Sequence, residues 1–571
     1  MSNKNPLLSS PIFQAVWGHS SAPQFALCSL GDTTAAALVQ ERTLALLRQR
    51  KADGVLYGED GKITQASMDA IGTSGYWGML VPREYGGIGL SFNDFCRTVT
   101  NVAAAGFPTE GGIAGMHGCI GAVFALSRFG TEEQKSRYLP LFASGQRTSG
   151  FALTEPCAGS DLGSLRTTAR LEGDEYVING EKLFNGNCLP TRVIRLVARV
   201  EGEDKPSEFI VELPQENEHF QLVRYKLLAV RQGRNNGLKF TNFRVPASSR
   251  LPAPEGNSLA TIYAGLNFGR VAVAANCAGV MRLLLGSLCP WTGYRETFGE
   301  LIETREKVKL GVGRLASLIV GADAIRDFCA GLLDSGERAE LECIIAKTFC
   351  STALKEAFTD ISLMIHGGRS FLEDHIIGPN MADYLAPLIY EGQNDMLSMK
   401  FFATLAKEHG LNYMLPLGES LKALRSGKIF SGAVSFLKAA TRLSIWKLKN
   451  RARSNSAGLD LDGMDARLAG HTLAAMKALK RLAAEISGKM SKHGARLAER
   501  QGIVVQLSQQ VQDAILMLVV AQHAQQLGDE TTILAADVLC RSLEQKLTGK
   551  VPDEAYFAAC SKLGHKVLNE R

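Results

Sequence analysis

The apolar positions of this chain change their period along its length, and that change divides it into four parts. Over residues 33–50 and 132–143 they recur every three or four residues, the spacing of a helix with one buried face. A loop at 82–87, Pro-Arg-Glu-Tyr-Gly-Gly, lies between them. Beyond residue 150 the runs shorten. Segments 192–200, 209–213 and 238–245, separated by charged or glycine-containing turns, predict β strands. Helical spacing returns over 269–288 and 301–332, and Leu397, Phe401 and Leu405 then recur every four residues. Asn394 or Asp395 suits the start of that last helix, and Lys407, His409 and Gly410 suit its end. Periodic runs at 466–500, 503–527 and 533–547, the last with Thr531 or Thr532 as a cap, predict a further helical bundle. The expected fold is mainly α with a small β domain. A helical domain at 1–150, a β domain at 151–255, a helical domain at 256–410 and an extra helical domain at 411–571 follow.

Composition adds little until the charge is divided. The chain has 571 residues, 46% hydrophobic and 21% charged, which suits several globular cores. Its 12 cysteines contain no C-x-x-C pair, so neither a zinc module nor a disulfide framework is indicated and a reducing compartment is expected. Residues 1–22 lack a basic start followed by an apolar run, and no stretch of about 18 uninterrupted apolar residues predicts a membrane span. The net charge of +6 splits into +9 for residues 411–571 and −3 for the rest. Between 421 and 454, nine Lys and Arg residues stand without one acid. Among them lie Ile429, Phe430, Val434, Phe436, Leu437, Leu443, Ile445, Trp446 and Leu448, an amphipathic pattern expected to break near Gly427 and Gly432. This pattern fits a helix lying on an anionic membrane, where each basic residue adds about 1 kcal/mol of attraction. The competing readings are a solvated loop or a helix packed on its own protein; a nucleic-acid surface is not expected.

Two segments carry chemistry. Residues 388–395, Leu-Ile-Tyr-Glu-Gly-Gln-Asn-Asp, place one carboxylate in an apolar run just ahead of a helix start. Burial raises a carboxyl pKa while a helix dipole and backbone N–H groups lower it, so Glu391 suits a base that is ionised yet poorly hydrated. Its plain alternative is a partly solvated glutamate before a cap. Residues 151–163, Phe-Ala-Leu-Thr-Glu-Pro-Cys-Ala-Gly-Ser-Asp-Leu-Gly, put a short strand before a turn whose N–H groups and hydroxyls suit an anion, with Gly159 admitting a phosphate closely. Such a turn is equally at home as plain structure. His117 has no ligand companion and reads as a core or channel-lining residue, and no metal site is expected.

Taken in order, these segments resemble the acyl-CoA dehydrogenase family, whose flavin signature is L-T-E-P-x-A-G-S-D. Further matches are Asp174 to Lys182, Gly269-Arg270, Arg295 to Gly299, Gly367-Gly368 and Tyr390-Glu391-Gly392. The extension is similar to that of the very-long-chain branch. The resemblance implies an FAD enzyme that desaturates an acyl-CoA, with Glu391 removing the α proton and the β hydrogen leaving as hydride. It places Phe151, Leu153, Thr154 and Phe184 along the flavin, and Gly159 and Ser160 at its diphosphate, Ser160 also near the CoA. Arg270, Tyr390 and Gly392 would lie by the substrate and the base. Arg295, Phe298, Gly367 and Gly368 would close over the cofactor of a neighbouring protomer, so a homodimer is implied, with an electron-transfer flavoprotein as acceptor. The expected location is the cytoplasm or an organelle matrix, against the inner face of a membrane.

Several residues depart from the family pattern. Gly186 stands where a hydroxyl normally approaches the flavin, Phe184 where Trp is usual, and Met364, Ser370, Ala382 and Gln393 replace Gln, Gly, Arg and Thr. The small residues of 114–121 would open a deep channel for a long chain, Phe124 would close it, and an apparent one-residue shift precedes Arg128-Phe129-Gly130. Two other roles fit the same scaffold: an assembly or docking protein with little catalysis, and a biosynthetic desaturase of an unusual CoA- or carrier-bound acyl group.

Overall fold

The computed structural model describes residues 10–18, 25, 33–254, 257–454 and 461–570. Helix α1 (Pro11–Trp17) packs far along the chain. Trp17 donates from Nε1 to the Leu405 carbonyl at 2.9 Å and stacks on His409 at 4.2 Å. The first helical domain is α2 (Thr34–Ala52), α3 (Gln65–Thr73), α4 (Phe92–Ala104), α5 (Pro108–Gly115), α6 (Ala122–Phe129) and α7 (Glu132–Ala143). A reciprocal capping box between Thr131 and Gln134 fixes the start of α7. Between α5 and α6, Met116–Ile120 form a π turn. A π turn takes up one residue more than an α turn, and it lies just ahead of the motif displaced by one residue.

The middle domain is a seven-stranded sheet of β1 (Ser149–Ala152), β2 (Thr168–Glu172), β3 (Glu175–Gly186), β4 (Val193–Val200), β5 (Pro206–Glu212), β6 (Phe220–Arg224) and β7 (Asn235–Pro246). The order is β1-β4-β2-β3-β7-β6, with β5 also on β4. β1 and β2 run parallel to β4; the other pairs are antiparallel. Alternating Ile194, Leu196, Phe209, Val211, Leu238 and Phe240 fill one apolar core.

Long helices follow: α8 (Ser258–Thr292), α9 (Glu306–Asp334) and α10 (Glu340–Glu356), with the short α11 (Leu363–His366) and α12 (Met381–Leu385), then α13 (Asn394–His409). Two-residue strands β8 (Glu296–Thr297) and β9 (Glu300–Leu301) form a hairpin ahead of α9, which starts at Glu306 and not at Leu301 as the sequence pattern placed it. The cap of α13 is also corrected: Gln393 accepts from Met396 N–H at 2.9 Å, and Asn394 is the first helical residue.

The extension comprises α14 (Leu415–Arg425), α15 (Ile429–Ala452), α16 (Ala466–His493), α17 (Gln501–Leu527), α18 (Glu530–Thr548) and α19 (Glu554–Asn569). Asp529, not Thr531 or Thr532, caps α18. Gly427, at φ 84°, separates α14 from α15, but Gly432 breaks nothing. A Cβ there would lie 2.9 Å from the Leu424 nitrogen, so Gly432 lets the two helices meet as a hairpin. Gly313 and Gly564 do the same for α9 and α19: a Cβ at either would fall about 2 Å from a carbonyl of the other helix. The stretches Pro108–Phe129, Ser258–Thr292 and Gln501–Leu527 are long and apolar enough to cross a membrane, contrary to the expectation from uninterrupted runs. Most of each is buried against the rest of the protein.

Candidate active site

Glu391 stands on a short connection between a 3-10 turn (Ala386–Leu388) and α13. Its backbone is left-handed, φ 57°, and Gly392 follows at φ 99°. A bulky residue in that region is costly and persists only where its surroundings enforce it. The enforcement is visible. Lys347 on α10, fully buried, donates from Nζ to the Gly392 carbonyl at 2.5 Å and to Asn394 Oδ1 at 2.8 Å. The Glu391 carboxylate then lies over α8, where Gly269 leaves room: a Cβ there would meet Glu391 Oε2 at 3.0 Å and Ile120 Cγ2 at 2.4 Å.

Glu391 Oε2 is buried and has no hydrogen-bond partner. Burial raises its pKa, and the charges of Arg270 and Lys347 oppose the rise. The expected counterweight was a helix dipole; the observed one is two cations. Arg270 is itself buried, donates from Nη1 to Asn267 Oδ1 at 2.8 Å, and keeps an unpartnered Nε.

A cavity of about 2360 Å³ extends from this carboxylate. Phe151, Leu153, Thr154, Gly159, Ser160, Phe184, Arg270, Tyr390 and Gly392 all line it, so one chamber gathers most of the residues singled out in the sequence. Arg295, Phe298, Gly367 and Gly368 do not line it; they are exposed, Phe298 by 99%. Phe124 is also outside, packed on Phe268 at 4.7 Å. His117 is a core residue. Its Nε2 meets the Trp77 carbonyl at 3.1 Å, its Nδ1 accepts from Ser149 N–H at 2.9 Å, and burial lowers its pKa to about 4.

The turn after β1 is held from beneath. Glu155 is buried with Lys182 of β3 at 2.6 Å and accepts from the backbone N–H groups of Arg166 and Thr167 at 2.5 and 3.1 Å. Burial works against its charge, yet Lys182 and these donors hold the carboxyl below its ordinary range. Lys182 also donates to the Leu153 carbonyl at 3.0 Å, and Leu183 N–H to the Thr154 carbonyl at 2.8 Å. The 154–160 turn thus faces the cavity while its underside is fixed. No protein atom within 4 Å would meet a Cβ on Gly159, so the space above it is open.

Other features suit a large, partly aromatic ligand. Phe184, at φ 56°, is 58% exposed where the β3–β7 pairing slips, and its ring stands 5.2 Å from Tyr225. Arg192 Nε, Asn235 Oδ1 and Asn276 Oδ1 are buried without partners, and their residues line the same cavity. Unmatched buried polar atoms are uncommon in finished cores and mark places for ligand donors and acceptors. Beside Gly186 the missing side chain is replaced in space: Met116 Sδ lies 2.6 Å from where its Cβ would be. Lys347, Met116 and Ile120 were not anticipated as site residues. Lys347 had one signal, a lone charge inside the apolar run 344–350.

Family models for the N-terminal, middle and C-terminal domains of acyl-CoA dehydrogenases match residues 33–146, 150–243 and 259–404. An acyl-CoA dehydrogenase of Bacillus subtilis is 32% identical over 336 residues, covering 57% of this chain and 86% of that protein. The chain belongs to the acyl-CoA dehydrogenase family. It is an oxidoreductase, and FAD is the family's cofactor. The very-long-chain specific acyl-CoA dehydrogenase of Bos taurus mitochondria is 28% identical over 479 residues, 81% of this chain and 70% of that one. That match spans more of the chain than the three family models do. The fold of an acyl-CoA dehydrogenase from Bacillus anthracis, complexed with FAD, agrees at a TM-score of 0.74 and 20% identity over 96% of this chain and 97% of that one. The residues around the cavity fit a flavin. Thr154, Gly159, Ser160 and Phe184 would hold it, and its chemistry is the acceptance of a hydride.

Proposed function

We propose that this acyl-CoA dehydrogenase desaturates long-chain acyl-CoA thioesters between the α and β carbons at a membrane surface. The observation that carries the reading is the Glu391 carboxylate, unpartnered at Oε2 inside a cavity whose wall is the 151–160 segment. Glu391 takes the α proton. Burial raises its pKa above the ordinary carboxyl range, which makes it a stronger proton acceptor than a solvated carboxylate, while the charges of Arg270 and Lys347 limit the rise. Negative charge then grows on the thioester oxygen, and a backbone N–H fixed in place beforehand stabilises it without reorganisation. The left-handed turn holds the Glu391 amide in such a fixed position. Bound FAD supplies the acceptor for the β hydride. An intact base beside a shaped cavity favours catalysis over a purely scaffolding role.

The apolar wall formed by Ile113, Ala272, Val273, Cys277 and Val280 supports a long aliphatic chain. The exposed Tyr294, Phe298, Met364 and Phe371 support burial against a second copy, which would bring Arg295, Phe298, Gly367 and Gly368 to the partner's cofactor. An electron-transfer flavoprotein is the proposed acceptor. On α15, the inner face buries Ala439, Leu443 and Trp446, while Phe430, Val434, Leu437, Ile445 and Leu448 form an exposed stripe at helical spacing. Unopposed Lys and Arg residues flank that stripe, which supports peripheral binding to anionic lipid in a reducing compartment.

The test is a series of saturated acyl-CoAs from C4 to C20, assayed with an artificial acceptor. kcat/KM is expected to rise with length into the long-chain range; a maximum at C4 to C6 would overturn the chain-length reading. Co-sedimentation with vesicles containing phosphatidylserine, before and after Phe430, Leu437 and Leu448 are changed to Ser, tests the surface. Equal binding by both forms would reject it.

A further inference from the structure

We propose that Lys347 is the positioning residue of the catalytic base, its buried ammonium holding the Glu391-Gly392 turn in place and serving as a counter-ion to the carboxylate. The proposal rests on the reading of Glu391 as the base. Lys347 sits in the middle of α10, which buries Leu341, Ile344, Ile345 and Leu354 around it. Nothing in the packing of that face calls for a charge, and an unpaired ammonium in such a place is costly. Its acceptors explain its presence. Both belong to the base-bearing connection: the Gly392 carbonyl at 2.5 Å, and Asn394 Oδ1 at 2.8 Å. The Asn394 amide is tied back to α10 through Ser351 Oγ at 3.0 Å, so the first turn of α13 is fastened at two points.

The consequence falls on Glu391 because its φ of 57° has no local support. Gly392 cannot help with a side chain, since a Cβ there would press on Leu397 at 2.8 Å. Release of the Gly392 carbonyl would let the turn relax to an ordinary φ, carrying the carboxylate away from Gly269 and its amide away from the substrate. The charge has a second effect. The titratable groups that face Glu391 are Arg270 on α8, Lys347 on α10, Cys119 in the π turn and Tyr390 beside it, and Cys277 on α8 faces Lys347. Only Arg270 and Lys347 among them are cations, and Lys347 makes no direct ion pair among the described residues, so its charge acts on Glu391 through space while its hydrogen bonds go to the Gly392 carbonyl and Asn394 Oδ1. Burial lowers Lys347 to about 8, while the neighbouring Glu391 and Cys277 hold it up.

The experiment compares Lys347→Met, Lys347→Gln and Lys347→Arg in the FAD-loaded full chain. Lys347→Met loses both donor and charge. It is expected to lower kcat about a hundredfold, the scale of a misplaced reacting group, with KM changed much less. Lys347→Gln keeps a donor for the Gly392 carbonyl without charge. It is expected to retain more activity but to move the midpoint of the kcat–pH profile upward, because loss of a nearby cation disfavours the carboxylate. Lys347→Arg is expected to restore that midpoint. Infrared difference titration of the carboxyl band, assigned by its disappearance in Glu391→Gln, reads the same shift without substrate. It therefore tests Lys347 even if no acyl-CoA is turned over, an outcome that would instead count against the proposed activity. A Lys347→Gln protein whose Glu391 titrates as in the wild type would overturn the counter-ion role. Unchanged kcat in Lys347→Met would overturn the positioning role, and if that variant does not fold, the Gln and Arg forms decide the matter.

Discussion

Replacing Lys182 by Met should loosen the 154–160 turn, the proposed flavin site, more than any surface change in the middle domain. The ammonium is fully buried, 2.6 Å from Glu155 and 3.0 Å from the Leu153 carbonyl. Removing one partner of a buried pair costs about 3–5 kcal/mol, because the other charge is left without compensation. Glu155 would keep the Arg166 and Thr167 N–H groups, so the lower end, about 3 kcal/mol, applies here. For a unit the size of the middle domain, that corresponds to a fall in Tm of roughly 12–24 °C. Differential scanning calorimetry of the FAD-free and FAD-loaded proteins measures it, and equilibrium dialysis should show weaker FAD binding. The sign with pH is defined. Glu155 has its folded pKa depressed by Lys182, so its stabilisation is present above the unfolded carboxyl range and is lost as pH falls through the folded value. In Lys182→Met burial dominates instead, protonation helps, and the gap between variant and wild type should narrow in acid. A variant with wild-type Tm and FAD affinity, or a gap that widens toward low pH, would refute the reasoning.

Gly269→Ala places a methyl 2.4 Å from Ile120 Cγ2 and 3.0 Å from Glu391 Oε2. It should retain FAD but lose at least tenfold in kcat, read by single-turnover flavin reduction. Gly186→Ser would drive its Cβ to 2.6 Å from Met116 Sδ. FAD binding should weaken, and adding Met116→Ala should recover it. Changing Arg295 and Phe298 together to Ala should leave the protomer's own cavity lining intact while lowering FAD content and shifting the chain to monomer in analytical ultracentrifugation.

Much of this arrangement was legible in the sequence because it rests on long periodic segments. The strand at 192–200 and the helix at 132–143 recur nearly residue for residue as β4 and α7. The chamber was legible through its glycines and through the acid ahead of α13, since Gly159, Glu391 and Gly392 belong to motifs that the fold brings together. What escaped lacks a period. The β8–β9 strands are two residues each, too short for alternation to register. The π turn at Met116–Ile120 disturbs helical spacing, so the side chains it aims at Gly186 and Gly269 could not be assigned a face. Gly432 looked like a breaker because a close crossing of two helices leaves no trace in one of them. Lys347 was not picked out because both of its acceptors are more than forty residues away.

The most direct test is the visible spectrum of the FAD-loaded protein, taken anaerobically before and after a long-chain acyl-CoA, for the wild type and for Glu391→Gln. The flavin band of the wild type should bleach within the time of a turnover, and the variant should bind the same FAD and the same thioester without bleaching. A variant that bleaches like the wild type would contradict the assignment of Glu391 as the base on which the rest of the site is built.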